Sequence, residues 1–317
     1  MLDSNNDSSK EWKLIEKTMS QMGDEQRRSR RWGIFFKLLT FAYLFILLIV
    51  MNQGLGSGKL VDADRYTALV NIRGVIADGE EASADLIVTG MREAFESEGT
   101  QAVVLRINSP GGSPVQSGYV YDEIKRLRDL YPNIPLYAVI SDLGASGAYY
   151  IAAAADQIYA DKASLVGSIG VVASGFGFVD VMEKLGVERR LYTAGDHKGF
   201  LDPFSDENEE EVQFWESVLN KTHQQFIDSV KRGRGDRLKA DDRIFSGLIW
   251  NGEQALDMGL IDGLGSAGYV AREIVGAEDV VDFTPQPDPL ERFTKSLGIA
   301  AGKAMANMMQ LGHFSFR

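Results

Sequence analysis

Residues 102–140 read AVVLRINSPGGSPVQSGYVYDEIKRLRDLYPNIPLYAVI, and this stretch decides the fold class. Two short apolar runs, Ala102–Ile107 and Leu136–Ile140, have the length and the Val and Ile content of buried strands. Between them, Val115–Leu130 carries apolar residues at helical spacing. A strand, a helix and a second strand in this order predict a parallel βαβ unit with a right-handed crossover.

The same alternation continues on both sides of this stretch. Further strands are predicted at Tyr66–Ile72 and Gln157–Ala160, and further helices over Ser83–Ser97 and Asp206–Arg232. The last helix has acidic residues in its first turns and basic residues at its end. Both groups interact favourably with the helix dipole, which is positive at the N-terminus and negative at the C-terminus. The sequence therefore predicts an α/β fold built on a parallel sheet.

The composition excludes several classes of function. The chain has 317 residues, with 33 basic and 45 acidic side chains and a net charge of −12. Such an acidic chain is a poor partner for nucleic acid, so no nucleic-acid binding is expected. The absence of cysteine excludes disulfides and thiolate sites, and three histidines leave little for a metal cluster. We therefore expect no metal and no cofactor.

One segment near the N-terminus predicts a membrane anchor. Trp32–Met51 is an apolar run of 20 residues, and a helix of that length spans about 30 Å. The arginines before it place the N-terminus in the cytoplasm and the large C-terminal part outside. A cleaved signal peptide and a buried core helix are the alternatives. A polar leader of 31 residues without a clear cleavage site disfavours the first, and near-continuous apolarity disfavours the second.

The predicted organisation has five parts. Proline residues at 285, 287 and 289 end the compact part of the chain, and a final segment has one apolar helical face. The parts are a cytoplasmic tail over 1–31, the anchor over 32–51, a linker over 52–65, an α/β domain over 66–284 and a C-terminal helical tail over 285–317.

Arg106–Ser113 (RINSPGGS) joins a predicted strand to a predicted helix and contains the adjacent glycines Gly111 and Gly112. Without side chains, these residues leave their backbone N–H groups open to a ligand, as an oxyanion hole requires. A plain turn that uses glycine as its hinge is the alternative.

Ser141–Ala148 (SDLGASGA) follows the next strand and places Ser146 between Ala145 and Gly147 at a helix start. Small neighbours leave the hydroxyl accessible, and the free N–H groups of a helix N-terminus favour negative charge. Ser146 is therefore a candidate nucleophile, and the N–H of Gly147 is a candidate oxyanion donor. A serine that caps the helix is the alternative.

Leu191–Phe200 (LYTAGDHKGF) supplies a candidate base, Lys198. A lysine that apolar neighbours shield from water loses its proton more readily, and the neutral amine can activate a serine hydroxyl. We expect the apolar residues within 200–204 to shield Lys198. A solvated loop lysine is the alternative.

His197 is a second candidate base, because it would give a Ser-His-Asp arrangement with Asp142 or Asp196. The residues by themselves do not separate the two bases. Ser168, between glycines in Val166–Val171 (VGSIGV), could hydrogen-bond the amine of Lys198; a local turn serine is the alternative.

Taken together and in this order, these segments resemble the bacterial signal peptide peptidase A family, the SppA/SohB-like serine peptidases with a Ser/Lys dyad. The resemblance rests on RINSPGG, ASGAYYIA, VGSIGVV, the lysine of TAGDHK and IFSG…EQALDMGLIDGLG. It implies a crotonase/Clp-like fold of stacked β-β-α turns in the domain over 66–284.

Site roles follow from the resemblance, motif by motif. It implies Ser146 as the nucleophile, Lys198 as the general base and Ser168 as a supporting serine, with His197 the weaker base. Gly111 or Gly112, together with Gly147, would supply the oxyanion hole. It also implies that short family members form homo-oligomeric rings whose dyads are completed across subunit boundaries.

The expected activity is hydrolysis of apolar peptides, such as remnant signal peptides, on the outer side of the cytoplasmic membrane. Two other classes of function are possible on the same fold. One is a catalytically inactive, membrane-anchored scaffold or binding protein, and the other is an acyl-CoA enzyme of the crotonase type. The combination of Ser146, Lys198 and Ser168 disfavours the scaffold, and an extracytoplasmic location without CoA disfavours the acyl-CoA enzyme.

Overall fold

The computed structural model describes residues 27–28, 30–47 and 64–285 of the chain, which divides into two units. In the first unit, a helix (α1) covers residues 30–47. No helix of the described ranges is both long enough and apolar enough to cross a membrane. The remaining parts of the predicted tail, anchor, linker and C-terminal segment lie outside the described residues, namely 1–26, 29, 48–63 and 286–317.

The second unit, over residues 64–285, is an α/β domain. Its strands are β1 Tyr66–Arg73, β2 Thr100–Ser109, β3 Leu136–Ala145, β4 Gln157–Ala160, β5 Leu165–Gly167, β6 Ile249–Asn251, β7 Gly263–Leu264 and β8 Val280–Asp282. Its α-helices are α2 Ala84–Glu96, α3 Pro114–Leu130, α4 Gly147–Ala152, α5 Val179–Leu185, α6 Glu209–Arg234, α7 Gly252–Asp257 and α8 Ala267–Tyr269. Short 3-10 turns cover Gly235–Arg237 and Asp242–Phe245, and α8 continues into a π-helical turn over Val270–Val275.

The eight strands form one sheet that is parallel except at one edge. Its main path runs β6-β5-β3-β2-β1-β8; off this path, β4 pairs with β3 and β7 pairs with β4. The pairs between β1, β2 and β3 are parallel, which confirms the predicted βαβ arrangement. The pair between β5 and β6 is antiparallel and was not predicted.

Strand β3 has two different neighbours along its length. Its first half pairs with β4, and its second half pairs with β5, where Ala145 lies opposite Gly167. The chain therefore leaves β3 for α4, returns as β4 and continues as β5 beside the end of the same strand. This arrangement puts the residues that follow β2, β3 and β5 at one edge of the sheet, because the carboxyl ends of parallel strands meet there.

Apolar side chains of the sheet and of α2, α3 and α4 form the core. The central strands β1 and β2 are almost continuously buried, as is typical of a parallel sheet covered by helices. All four predicted strands are present, and the predicted helices appear as α2, α3 and α6 with ends displaced by a few residues. Helix α3 begins with Ser113 as its cap, which accepts a hydrogen bond from the N–H of Gln116.

The segment between β5 and α6 differs from the rest of the domain. Helix α5 has no buried residue, and large apolar side chains of the segment are exposed, with Val172, Phe176 and Tyr192 at least 80% accessible. We call residues 171–204 the exposed apolar segment. Surface of this kind is rare on a monomer and typical of an interaction surface.

Candidate active site

Ser146 lies at a sharp turn between β3 and α4. Its backbone has φ +54° and ψ −124°, a region that residues other than glycine rarely adopt. Two hydrogen bonds hold it there, because its N–H donates to the carbonyl of Gly167 at 2.8 Å and its carbonyl accepts from Tyr150 at 2.9 Å. Such strain persists where the surroundings enforce it and is concentrated at functional sites.

The hydroxyl of Ser146 makes no hydrogen bond to another described residue. Ser146 occupies the N-cap position of α4, but its side chain makes no capping hydrogen bond. This observation removes the interpretation of Ser146 as an ordinary helix cap. The flanking residues Ala145 and Gly147 are buried, and their small size leaves room around the hydroxyl. Within residues 64–285, Ser146 thus presents an unpaired hydroxyl at the sheet edge.

The glycine pair after β2 packs directly against this turn. A Cβ atom at Gly111 would lie 2.6 Å from the backbone nitrogen of Gly147, and one at Gly112 would lie 2.1 Å from the carbonyl oxygen of Ile76. Both positions therefore require glycine. The loop is fixed by a hydrogen bond from the Ile76 N–H to the Gly111 carbonyl and by one from the Ser113 N–H to the Ile76 carbonyl.

The N–H groups of these glycines are not equivalent. The N–H of Gly111 donates to the hydroxyl of Ser109 at 3.0 Å. Within residues 64–285, neither the N–H of Gly112 nor that of Gly147 donates a hydrogen bond. The two free donors are close together, since a Cβ atom at Gly147 would lie 3.3 Å from the nitrogen of Gly112. A pair of free N–H groups beside a free hydroxyl can stabilise an oxyanion.

Ser168 follows β5 and lies next to Ser146 in the sheet. Its φ is +52°, and its N–H donates to the carbonyl of Leu248 at 2.8 Å. Leu248 directly precedes β6, so the unpredicted antiparallel pair holds this serine in place. The side chain of Ser168 is half-buried and makes no hydrogen bond to another described residue. The structure therefore brings Ser146, Ser168 and the two glycine donors together.

A cavity of about 340 Å³ opens beside Ser146. Its walls come from α3, from the start of α4, from the residues after Ser168 and from α6. The lining residues are Gly112, Pro114, Val115, Gly118, Tyr119, Asp122, Ser146, Gly147, Tyr150, Gly170, Val171, Thr222, Gln225 and Phe226. Sequence reasoning missed the part of the wall that α6 contributes, because its residues are about 80 positions from Ser146.

Lys198 does not line this cavity. It lies in an exposed turn, where its N–H donates to the carbonyl of Gly195 at 3.2 Å. The expected shielding of Lys198 by the apolar residues that follow it is wrong for the single chain. Phe200 packs edge-on against Trp215 of α6 instead, and Leu201 is 60% exposed. The described part of the chain therefore does not shield the lysine amine from water.

His197 has a different partner from the predicted one. Its Nδ1 lies 2.9 Å from Oε1 of Glu211, and this hydrogen bond raises the pKa of His197 above its ordinary value. His197 does not line the cavity beside Ser146. Asp142, one candidate to orient it, accepts a hydrogen bond from Asn108. The described part of this chain therefore contains no Ser-His-Asp arrangement around Ser146.

No three His, Asp or Glu side chains in the described ranges are grouped as ligands of a metal ion would be. The chemistry that the site offers is that of its hydroxyl, its two free N–H groups and the apolar walls of the cavity.

Comparison with known proteins supports one family. Residues 128–280 match peptidase family S49, and this range includes Ser146, Ser168 and Lys198. A putative signal peptide peptidase SppA of Enterococcus faecium is 31% identical over 223 residues, which cover 68% of this chain and 62% of that protein. A probable protease SohB of Buchnera aphidicola is 30% identical over 225 residues, which cover 70% of this chain and 63% of that protein.

A third relative is named for another activity. The Na(+)/H(+) antiporter NhaA of Brucella abortus is 41% identical over 215 residues, which cover 67% of this chain and 29% of the antiporter. The chain thus spans less than a third of that protein and less than two thirds of the SppA and SohB relatives. The S49 match and the similarity to SppA and SohB proteins agree, and together they support the SppA/SohB-like family of serine peptidases.

Proposed function

We propose that the chain is a membrane-anchored serine endopeptidase with a Ser/Lys dyad. It would cleave apolar peptides, remnant signal peptides among them, on the outer side of the cytoplasmic membrane. The observation that carries the proposal is the unpaired hydroxyl of Ser146 at a strained turn, beside the free N–H groups of Gly112 and Gly147. This combination supplies a nucleophile and an oxyanion hole at the mouth of one cavity.

The reaction follows from these groups. Oγ of Ser146 attacks the carbonyl carbon of the peptide while its proton passes to the neutral amine of Lys198. The carbonyl electron pair moves onto oxygen, and the N–H groups of Gly112 and Gly147 bind the resulting oxyanion. The C–N bond then breaks, and the leaving amine takes the proton from Lys198. Water, deprotonated by Lys198, attacks the ester that remains. The bond to Ser146 then breaks, its Oγ takes the proton back from Lys198, and the acid is released. Ser168 would hydrogen-bond the lysine amine and orient it.

Lys198 would come from a neighbouring subunit. In its own chain it is exposed and lies outside the cavity beside Ser146. The exposed apolar segment, which contains Lys198, is the kind of surface that association covers. Packing of this segment against the next chain would remove water from the amine and favour its neutral form. Repetition of the same contact around an axis gives a homo-oligomeric ring.

The substrate preference follows from the cavity. Val115, Tyr119, Val171 and Phe226 give it apolar walls beside the reactive hydroxyl. Apolar side chains gain free energy when they leave water for such a site. Peptides with apolar residues at the cleavage site are therefore the proposed substrates.

The location and the finer fold are part of the same proposal. The apolar run Trp32–Met51 and the arginines before it support an anchor with the N-terminus in the cytoplasm. In α1, the large apolar side chains are exposed, as they are in helices that contact lipid. The order of the motifs supports a crotonase/Clp-like domain. The antiporter activity in the name of the Brucella relative is not proposed, because the match covers 29% of that protein.

Mixing two inactive variants tests the proposal directly. Ser146→Ala lacks the nucleophile and Lys198→Ala lacks the base, so each protein alone should be inactive on an apolar signal-peptide fragment. Co-expressed chains that form mixed oligomers should regain part of the wild-type activity, because some interfaces then combine an intact Ser146 with an intact Lys198. Verified mixed oligomers without activity would place both residues in one chain. Full activity of Lys198→Ala alone would remove lysine as the base.

A fluorophosphonate probe separates the peptidase from an inactive scaffold on the same fold. The probe reacts with activated serines and should label the wild-type protein but not Ser146→Ala. Absence of labelling in the assembled wild-type protein would favour the scaffold.

A further inference from the structure

His197, the residue before the proposed base Lys198, contacts helix α6 through a hydrogen bond. Nδ1 of His197 lies 2.9 Å from Oε1 of Glu211, in the first turn of α6. The side chain of Glu211 is 21% exposed and that of His197 is 60% exposed, so the contact lies at the surface. Glu211 raises the pKa of His197 through this hydrogen bond, which shows that the contact favours the charged imidazolium.

A second contact fixes the other side of Lys198. The ring of Phe200 meets those of Phe214 and Trp215 edge-on, with centroids 6.3 Å and 6.0 Å apart. The turn between the two contacts is closed by a hydrogen bond from the Phe200 N–H to the His197 carbonyl at 3.2 Å. Lys198 is thus held between two attachments to the same helix.

Helix α6 connects this turn to the cavity beside Ser146. Fourteen residues beyond Glu211, about 21 Å along a helix, Gln225 lines that cavity. The next residue, Phe226, stacks on Tyr150 of α4 with ring centroids 4.9 Å apart. Helix α6 therefore forms part of the wall of the cavity beside Ser146 and also holds the turn that contains Lys198. We call residues 197–200 the lysine turn.

We propose that His197 is a positioning residue for Lys198: together with Glu211 it fixes the lysine turn on α6, so that the amine meets the serine of the next subunit in one orientation. The inference rests on the proposed function, since it takes Lys198 as the base. It gives a role to a residue that sequence reasoning treated as a rival base. Because reaction rates depend steeply on the placement of the reacting groups, a loosened turn should slow the chemical step.

The test compares variants at both ends of the contact. His197→Ala and Glu211→Gln should each lower kcat about threefold to tenfold with little change in KM, because the contact orients the base and does not bind the peptide. The double variant should lose no more than either single variant, since both changes remove the same charge-assisted hydrogen bond. His197→Asn, whose amide N–H can replace Nδ1 as the donor, should recover most of the activity.

Glu210→Gln is the matched control. Glu210 is the neighbouring acid in the same turn of α6; it is exposed, and its side chain makes no hydrogen bond to His197. The charge change is the same as in Glu211→Gln, so Glu210→Gln should keep wild-type kcat. The rate of fluorophosphonate labelling of Ser146 should follow kcat across the series, and the oligomeric state, measured by light scattering, should stay unchanged.

The outcomes separate this inference from the proposed function. If Lys198→Ala is inactive while His197→Ala and Glu211→Gln behave like Glu210→Gln, the positioning role is wrong and the dyad stands. If His197→Ala is inactive and Lys198→Ala is active, His197 is the base and both proposals are wrong. Additive losses in the double variant would also overturn the inference, because they would show that His197 and Glu211 act separately.

Discussion

The backbone N–H of Ser146 donates a 2.8 Å hydrogen bond to the carbonyl oxygen of Gly167, the residue before Ser168. This bond continues the pairing of β3 with β5 by one residue beyond the strand end. Both serines have positive φ, and each is held by a backbone bond to a neighbouring segment. The sheet therefore sets the relative position of two of the proposed functional hydroxyl groups.

Replacement of Ser146 by glycine is expected to abolish peptidase activity and to make the fold more stable. An alanine or serine at φ +54° is strained, whereas glycine adopts this conformation freely. Ser146→Gly should therefore exceed Ser146→Ala in the free energy of unfolding by about 1 kcal/mol, measured by urea denaturation. Both variants lack the hydroxyl, so equal stabilities would show that the turn is not strained.

Gly112→Ala is expected to disrupt the site. The new Cβ atom would lie 2.1 Å from the carbonyl oxygen of Ile76, so the loop with the proposed oxyanion donor must move. We expect a loss of about 1–3 kcal/mol in the free energy of unfolding and a fall in kcat of at least about tenfold. Gly74→Ala is the control, because Gly74 also has positive φ but a Cβ atom there would meet nothing within 4 Å. An equal fall in kcat for both variants would contradict this explanation.

Gly118 is expected to set the size of the side chain that the cavity accepts. It lines the cavity from the second turn of α3, and a Cβ atom there would meet nothing within 4 Å. Gly118→Leu should lower kcat/KM for peptides with large apolar residues about tenfold or more, and should affect peptides with alanine less.

Gly118→Ala should at the same time raise the free energy of unfolding by about 0.5–1 kcal/mol, because alanine favours the helix. Lys125→Ala, at an exposed position of the same helix, controls for changes in helix propensity. Unchanged selectivity in Gly118→Leu would show that substrate side chains bind elsewhere.

Glu123 is expected to make the free energy of unfolding depend on pH in the acidic range. Hydrogen bonds from Arg126 and from Arg92 of α2 lower the pKa of Glu123 to about 2, against burial, which acts in the opposite direction. Because the folded-state pKa is below the ordinary value of 4.5, the stabilisation is complete above about pH 4.5 and is lost as the pH falls towards 2.

Glu123→Gln should therefore lower the free energy of unfolding at pH 7 by about 1–2 kcal/mol. Thermal unfolding of both proteins between pH 7 and pH 3 measures the difference, which should shrink as the pH falls. A difference that is constant over this range would assign the effect to packing rather than to charge.

The positions of Ser146 and of the glycine pair could be predicted because they depend on local sequence. Ala102–Ile107 and Leu136–Ile140 are neighbouring parallel strands, and the residues after such strands meet at one edge. The small residues around Ser146 correctly indicated an accessible hydroxyl. Sequence alone could not show which of Gly111 and Gly112 has a free N–H. The answer depends on a hydrogen bond from the Gly111 N–H to the hydroxyl of Ser109.

Two other features could not be predicted from local patterns. Strands β5 and β6 have three residues each and are about 80 positions apart, so neither has a recognisable period. The apolar residues after Lys198 suggested shielding of the amine, but Phe200 packs on α6 instead. The sequence shows which residues are apolar, but it does not show which other residues they will pack against.

The exposed apolar segment has a consequence for control of the enzyme in the cell. If each dyad combines a nucleophile from one chain with a base from another, the rate of turnover increases with the fraction of chains that are associated. A newly made, isolated chain would then be harmless to the proteins around it. The fraction of chains that are assembled would then set the rate of proteolysis.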